Sequence, residues 1–267
     1  MITSTQNPKI KQLLQLQQKS SERRKAGLFV VEGQRELQHC IGADFEIDTL
    51  FICPEICTNI EEILKLATSC NSAAANSRIL ELPSSLYEKI AYRGGTEGII
   101  ATVKARSLKL SDLKLESSPL IMILESVEKP GNLGAVLRSA DAAGADAVIV
   151  CDPLTDLYNP NLIRSSIGAI FTVPCVACSS EECINWLKTN SIQILTAQLQ
   201  DSSLYYQTDM CRPTALVMGT EATGLTPQWR QAADAHIRIP MLGSLDSLNV
   251  SVSAAILLFE AVRQRNN

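Results

Sequence analysis

The chain has 267 residues, 46% of them apolar and 19% charged, with a formal net charge of −4. This is the balance of an ordinary globular protein of one large or two modest domains, and its acidity argues against a surface coated throughout for nucleic acid. No 18-residue apolar run and no apolar leader core appears, so neither a membrane span nor secretion is expected, and the cytoplasm is.

Charge is unevenly spread. Residues 1–40 carry seven Lys/Arg against three Asp/Glu, and residues 41–87 carry two against seven. A locally basic end can meet a phosphate backbone or can be a solvated helix face, and charge alone leaves both open. Within it, residues 6–20 place Ile10, Leu13, Leu14 and Leu16 at near-helical spacing. A short strand, GLFVVEG, and a helix, RELQHCIG, follow. DTLFICP reads as a strand, and NIEEILKLATSC as a helix with Ile60, Ile63, Leu64 and Ala67 on one face. SRILELP, SSLYEKIAY and TEGIIATVKA continue as strand, helix and strand. This alternation predicts a small α/β domain over residues 1–105. Residues 106–118, covering most of SLKLSDLKLESSP, lack a period of their own and read as a linker.

From residue 119 to 267 the alternation is stronger. PLIMILESV, ADAVIV, AIFTVPCV, SIQILTA, TALVMG and HIRIPM are near-continuous apolar strands, separated by helices near 133–143, 160–168, 180–190, 226–234 and 249–265. That pattern predicts a mostly parallel sheet covered on both faces. Nine cysteines and two histidines suggest neither a disulfide framework nor a metal site. The C-x-x-C of Cys175 and Cys178 reads as the end of a buried strand.

Parallel sheets bind ligands at the carboxyl ends of their strands, which selects the loops after Val127, Met218 and Met241. The first, EKPGNLGAVLR, has two glycines but not the three of a dinucleotide fingerprint, although Asp152 stands where a ribose-binding acid could. Leu133, Val136, Leu137 and Ala140 form its buried stripe and leave Gly134, Arg138 and Asp141 off it. Arg138 could do no more than pair with Asp141, and Asn132 no more than cap a helix. In the second, LVMGTEATGLTPQW, glycines flank the lone carboxylate Glu221. In the third, RIPMLGSLDSLNVSVSAA, Ser247 and Asn249 could simply cap the following helix.

Taken in order, the three loops resemble the SpoU (TrmH-like) family of RNA ribose 2′-O-methyltransferases. The first family motif is matched by Asn132 and Arg138. The second is matched by Gly219, Glu221, Gly224 and Leu225, with Thr220 where asparagine is usual and Ala222 where glycine is usual. The third is matched by Ile239, Pro240, Met241, Ser247, Leu248, Asn249, Val250 and Ser251. GLFVVEGQRELQ and TEGIIA are similar to the edges of the family's substrate-binding domain, which has a ribosomal protein L30e-like fold. The resemblance implies a trefoil-knotted methyltransferase domain, a homodimer, S-adenosyl-L-methionine as cofactor, and an RNA substrate, ribosomal rather than transfer RNA. It implies Arg138, Asn132, Glu221, Ser247 and Asn249 as catalytic residues. Met218, Gly219, Thr220, Glu221, Ile239, Pro240, Met241, Leu248, Asn249 and Ser251 would hold the cofactor. Lys19, Arg23, Arg24, Lys25 and Arg35, with Arg138, would meet RNA.

A 2′-hydroxyl needs a base or strong orientation. Lowering a guanidinium from about 12.5 to near 7 would cost roughly 7 kcal/mol, so Arg138 is expected to act as a forked phosphate clamp rather than as the base. Two other readings stand beside this one: an NAD-dependent Rossmann oxidoreductase built on the first loop and Asp152, and an RNA-binding module of the same fold without catalysis.

Overall fold

The computed structural model describes residues 2–61, 63, 65, 78–92, 97–220 and 223–266. Most of the helix expected over 59–70, Thr96 of the last strand of the first domain, Glu221 and Ala222 therefore lie outside the described residues. Contacts divide the chain into two compact units, 1–106 with 158–172, and 107–157 with 173–267.

In the first unit, strands β1 (Leu28–Glu32), β2 (Ile47–Ile52), β3 (Arg78–Glu81) and β4 (Ile99–Lys104) form a mixed sheet in the order β1-β4-β2-β3. β4 is antiparallel to β1 and β2, and β3 is parallel to β2. The amino-terminal helix is Pro8–Gln18: Pro8 supplies the preset φ of a first turn, and the Asn7 side chain accepts from Lys9 N. Its buried Ile10, Leu13 and Leu16 meet Leu28, Val30, Phe51 and Ile100 of the sheet. Arg23, in the following helix Ser20–Ala26, is buried and donates to the carbonyls of Leu16 (2.6 Å) and Gln17 (3.4 Å). This corrects its assignment to the RNA surface, because its guanidinium is spent on the open carboxyl end of the first helix.

The run AIFTVPCV, expected to be one strand, is two elements. Ala169–Thr172 is a helical turn in the first unit, where Phe171 packs edge-on against Phe45 at 5.2 Å and Tyr158 stacks on Phe29 at 4.1 Å. Only Cys175–Cys178 pairs as a strand. Gly168 at φ +86° and Pro174 bracket the break.

The second unit is an all-parallel seven-stranded sheet in the order β7-β6-β5-β10-β8-β11-β9. Its strands are β5 (Leu120–Glu125), β6 (Ala147–Cys151), β7 (Cys175–Cys178), β8 (Gln193–Ala197), β9 (Ser203–Leu204), β10 (Thr214–Met218) and β11 (Ala235–Arg238). Every residue of β5, β6 and β10 is buried, as strands covered on both faces require. The stretch expected to be a linker is joined to this unit from Ser107, and Leu110, Leu113 and Leu115 pack on the core around Ile121, Ile149 and Trp229. On the helix Pro130–Ala142, Leu133, Val136, Leu137 and Ala140 are buried and Arg138 and Asp141 are exposed, as the spacing predicts. Gly134, placed off that stripe, is also buried. The carboxyl-terminal helix Val250–Arg265 packs on this helix. No helix among the described residues is long and apolar enough to cross a membrane.

Candidate active site

Because the sheet is parallel, the ends of β5, β10, β8 and β11 open on one edge, and the loops leaving them meet there. The loop after β10 begins at Gly219. A Cβ there would collide with the backbone of Gly224 and Leu225, so only glycine lets the loop fold back so tightly. The fold-back is held by Gly224 N donating to Thr220 O (3.0 Å) and by Thr223 N donating to Thr220 Oγ1 (3.0 Å). Thr220, which departs from the family asparagine, thus closes the turn with its own hydroxyl. The loop leaves through Thr226, whose N–H and hydroxyl both donate to the buried Glu125 carboxylate, at 2.9 and 2.6 Å. Ser180 Oγ also approaches Glu125 at 3.4 Å and accepts from Trp229 Nε1 at 2.9 Å. Glu125 was not anticipated; its only sequence signal is a carboxylate closing an otherwise apolar strand, LIMILE.

A cavity of about 420 Å³ lies against this loop. Of the expected cofactor residues, Met218, Gly219, Thr220, Ile239, Met241 and Leu248 line it, as does Ser247. Pro240, Asn249 and Ser251 do not line it, and Glu221 lies outside the described residues. The segment Ala197–Gln200 after β8 also lines it and was missed, although the rule that selected the other loops applies equally to a fourth strand end.

Asn249 caps the helix Val250–Arg265, its Oδ1 accepting from Ser251 N (3.0 Å) and Ser251 Oγ (2.6 Å). Its Nδ2 donates to Asn132 Oδ1 at 3.2 Å, across 117 residues of chain. The capping role and the site role fall on one side chain: the oxygen fixes the helix and the nitrogen holds the first loop. Asn132 lines a second hollow of about 140 Å³ with Ser126–Lys129, and its remaining walls, Gly219, Thr220 and Val250, are shared with the larger cavity. Arg138 is exposed, six positions beyond Asn132 on the same helix. Asp152 does not offer a free acid to a ribose; its Oδ2 accepts from Ser180 Oγ (2.6 Å) and Ser180 N (3.2 Å). In the first unit Lys19, Arg24, Lys25 and Arg35 are exposed.

The profile of the SpoU rRNA Methylase family matches residues 119–259, and that of an MRM3-like substrate binding domain matches residues 7–101. The chain is 29% identical to a 23S rRNA (uridine(2479)-2′-O)-methyltransferase of Streptomyces viridochromogenes, over 98% of this chain and 92% of that protein. It is 36% identical to a 23S rRNA (guanosine-2′-O-)-methyltransferase of Ralstonia nicotianae, over 72% of this chain and 80% of that one. Among solved structures, an AdoMet-bound rRNA methyltransferase from Sinorhizobium meliloti superposes with a TM-score of 0.88 at 28% identity, covering 98% and 97% of the two chains. With the three motifs gathered at one sheet edge and the family profile spanning residues 119–259, the chain belongs to the SpoU rRNA methylase family.

Proposed function

We propose that the protein transfers a methyl group from S-adenosyl-L-methionine to a ribose 2′-hydroxyl of 23S ribosomal RNA. The observation that carries this reading is the Asn249–Asn132 hydrogen bond. It joins the first and third loops beside a cavity walled by the second and third, so a cofactor pocket and a polar hollow lie next to each other. The cavity, about 420 Å³, is within the range of small-molecule sites, and its glycine fold-back lets backbone groups reach a ligand closely. S-adenosyl-L-methionine, when bound, supplies an electrophilic methyl group.

The chain's own residues would do the rest. Gly219, Ile239, Met241 and Leu248 hold the cofactor by backbone and apolar contact. Asn132, Ser247 and Asn249 shape the place of the hydroxyl. Arg138 lies about 9 Å along the helix axis from Asn132, and we assign its forked donors to the phosphate beside the target ribose, aligning the hydroxyl rather than taking its proton. Glu221 is assigned to the same pocket on its motif position. Lys19, Arg24, Lys25 and Arg35 extend the RNA surface. The exposed Leu242, Leu245, Val252 and Phe259 support a homodimer through the third loop and last helix, and the family relationship supports a trefoil knot in that region and a cytoplasmic enzyme.

The test is transfer of labelled methyl from S-adenosyl-L-methionine to 23S rRNA from cells lacking the protein, with the 2′-O-methyl position mapped. Incorporation at one ribose is expected, and none into any RNA would overturn the reading. Arg138→Lys keeps the charge but loses the fork, and near-normal turnover in that variant would refute the clamp.

A further inference from the structure

Three thiols converge at one end of the second sheet. Cys151 ends β6 and Cys178 ends β7, and the two are direct partners across the ladder. β7 is followed at once by the helix Ser180–Thr189, started by a reciprocal cap between Ser179 and Glu182. Its first turn carries Cys183 back over the strand ends. The three sulfurs lie within 4.8 Å of one another. Cys151 and Cys183 are fully buried, while Cys178, on the edge strand, is half-buried and open to entry. The C-x-x-C spacing pointed at the wrong pair: Cys178 belongs with Cys151 and Cys183, not with Cys175.

We infer that Cys151, Cys178 and Cys183 form a binding site for one thiophilic d10 cation, Zn(II) or Cu(I), held by three thiolates. Sulfurs bound at about 2.3 Å to a common tetrahedral ion stand roughly 3.8 Å apart, so the side chains need move little to close on one. Soft thiolates select these ions over the hard divalent cations. Binding displaces the thiol protons to solvent, so affinity rises with pH.

The site has a structural consequence. Ser180, at the start of the same helix, bonds Asp152 and Trp229 and approaches Glu125, and Glu125 anchors the exit of the second loop at Thr226. An ion tying β6, β7 and this helix together would stiffen the support beneath that loop.

The test uses the full chain, reduced, stripped with a chelator and kept anaerobic. Titration with Co(II) is expected to give thiolate-to-cobalt charge-transfer absorption that saturates at one ion per chain and is bleached by Zn(II). A parallel arm measures Cu(I) by competition with a chromophoric Cu(I) chelator and tells which ion the site prefers. Cys178→Ser, a near-isosteric change at a half-buried position, should lower the affinity by more than the roughly 10–100-fold typical of losing a supporting residue. Cys183→Ser should do the same, and Cys211→Ser, outside the cluster, should not. One-to-one binding by either ion should also raise the unfolding temperature of the wild-type chain. The inference is overturned if neither ion binds saturably at one per chain, or if Cys178→Ser, folded by circular dichroism, binds with wild-type affinity.

Discussion

Gly219→Ala separates a glycine needed for space from one needed for backbone conformation. An ideal Cβ on Gly219 would stand no more than 2.5 Å from the carbonyl carbon and oxygen of Gly224 and from Leu225 N. Carbon contacts relax at about 3.5–4.0 Å, so a gap of roughly 1 Å must open, and backbone atoms cannot rotate out of the way as a side-chain end can. The Thr220–Gly224 bridge makes the loop move as a piece, and the direction open to it is the cavity its own residues line. Overpacking of this kind costs about 1–3 kcal/mol. If the free protein relaxes by moving the loop, that cost reappears when the cofactor requires the original shape, as a roughly 5–150-fold weaker Kd. Gly224→Ala is the control. Gly224 has φ +67° and its nearest contact would be Arg230 Nη2 at 3.8 Å. It therefore loses about 1–2 kcal/mol of stability to left-handed strain, with no backbone clash to displace the loop. Calorimetric titration with S-adenosyl-L-methionine, paired with thermal unfolding, should show affinity lost chiefly in the first variant and stability chiefly in the second. Cofactor affinity within twofold of wild type in folded Gly219→Ala would refute the argument.

Asn249→Asp keeps the oxygen that caps Ser251 N but loses the Nδ2 donor to Asn132; its unfolding temperature should stay near wild type while methyl transfer falls at least tenfold. Asn249→Ala should lose the transfer and about 1 kcal/mol of stability as well, read by chemical denaturation. Arg23→Ala strands the carbonyls of Leu16 and Gln17 and should cost about 1.5–3 kcal/mol. Arg24→Ala, exposed on the same helix, should cost almost nothing in stability and weaken RNA binding instead. Hydrogen bonds from Arg263, both at 2.9 Å, hold the Glu260 carboxyl below its ordinary value. Its contribution is therefore present above the unfolded pKa of about 4.3 and is lost as pH falls through the folded value. Glu260→Gln should be less stable than wild type at pH 7, and denaturation curves of the two should converge in acid.

What the sequence made legible was what repeats or what stands in a motif. The parallel sheet followed from PLIMILESV, ADAVIV and TALVMG, because strands buried on both faces have no polar positions to break the run. The first and third loops were legible as motifs, and Asn132 and Asn249 do meet. Arg23 was misread because a charge count cannot tell a cation pointing to solvent from one turned onto open carbonyls. That the stretch 106–118 packs on the core was not legible, because Leu110, Leu113 and Leu115 have no strand or helix period, yet an irregular segment can cover a core as well as a regular one. The run AIFTVPCV was misread as a single strand because Phe171 and Cys175 are both apolar and serve different cores.

Contacts made by topology were the least legible. Nothing in spacing joins Glu125 to Thr226, 101 residues on, and nothing joins Cys151 to Cys183. The first pairing follows from a sheet order in which β5 lies between β6 and β10, and the second from β7 lying beside β6. Once β5 is central, its last residue can reach the loop leaving one neighbour and the helix that packs beside the other. A carboxylate there, buried, accepts from Thr226 on one side and is approached by Ser180 on the other, toward the end of the sheet where the three cysteines meet. The bonds of Ser180 to Asp152 and Trp229, and of Thr226 to Glu125, thus place the start of the helix that bears Cys183 and the exit of the second loop around one buried carboxylate.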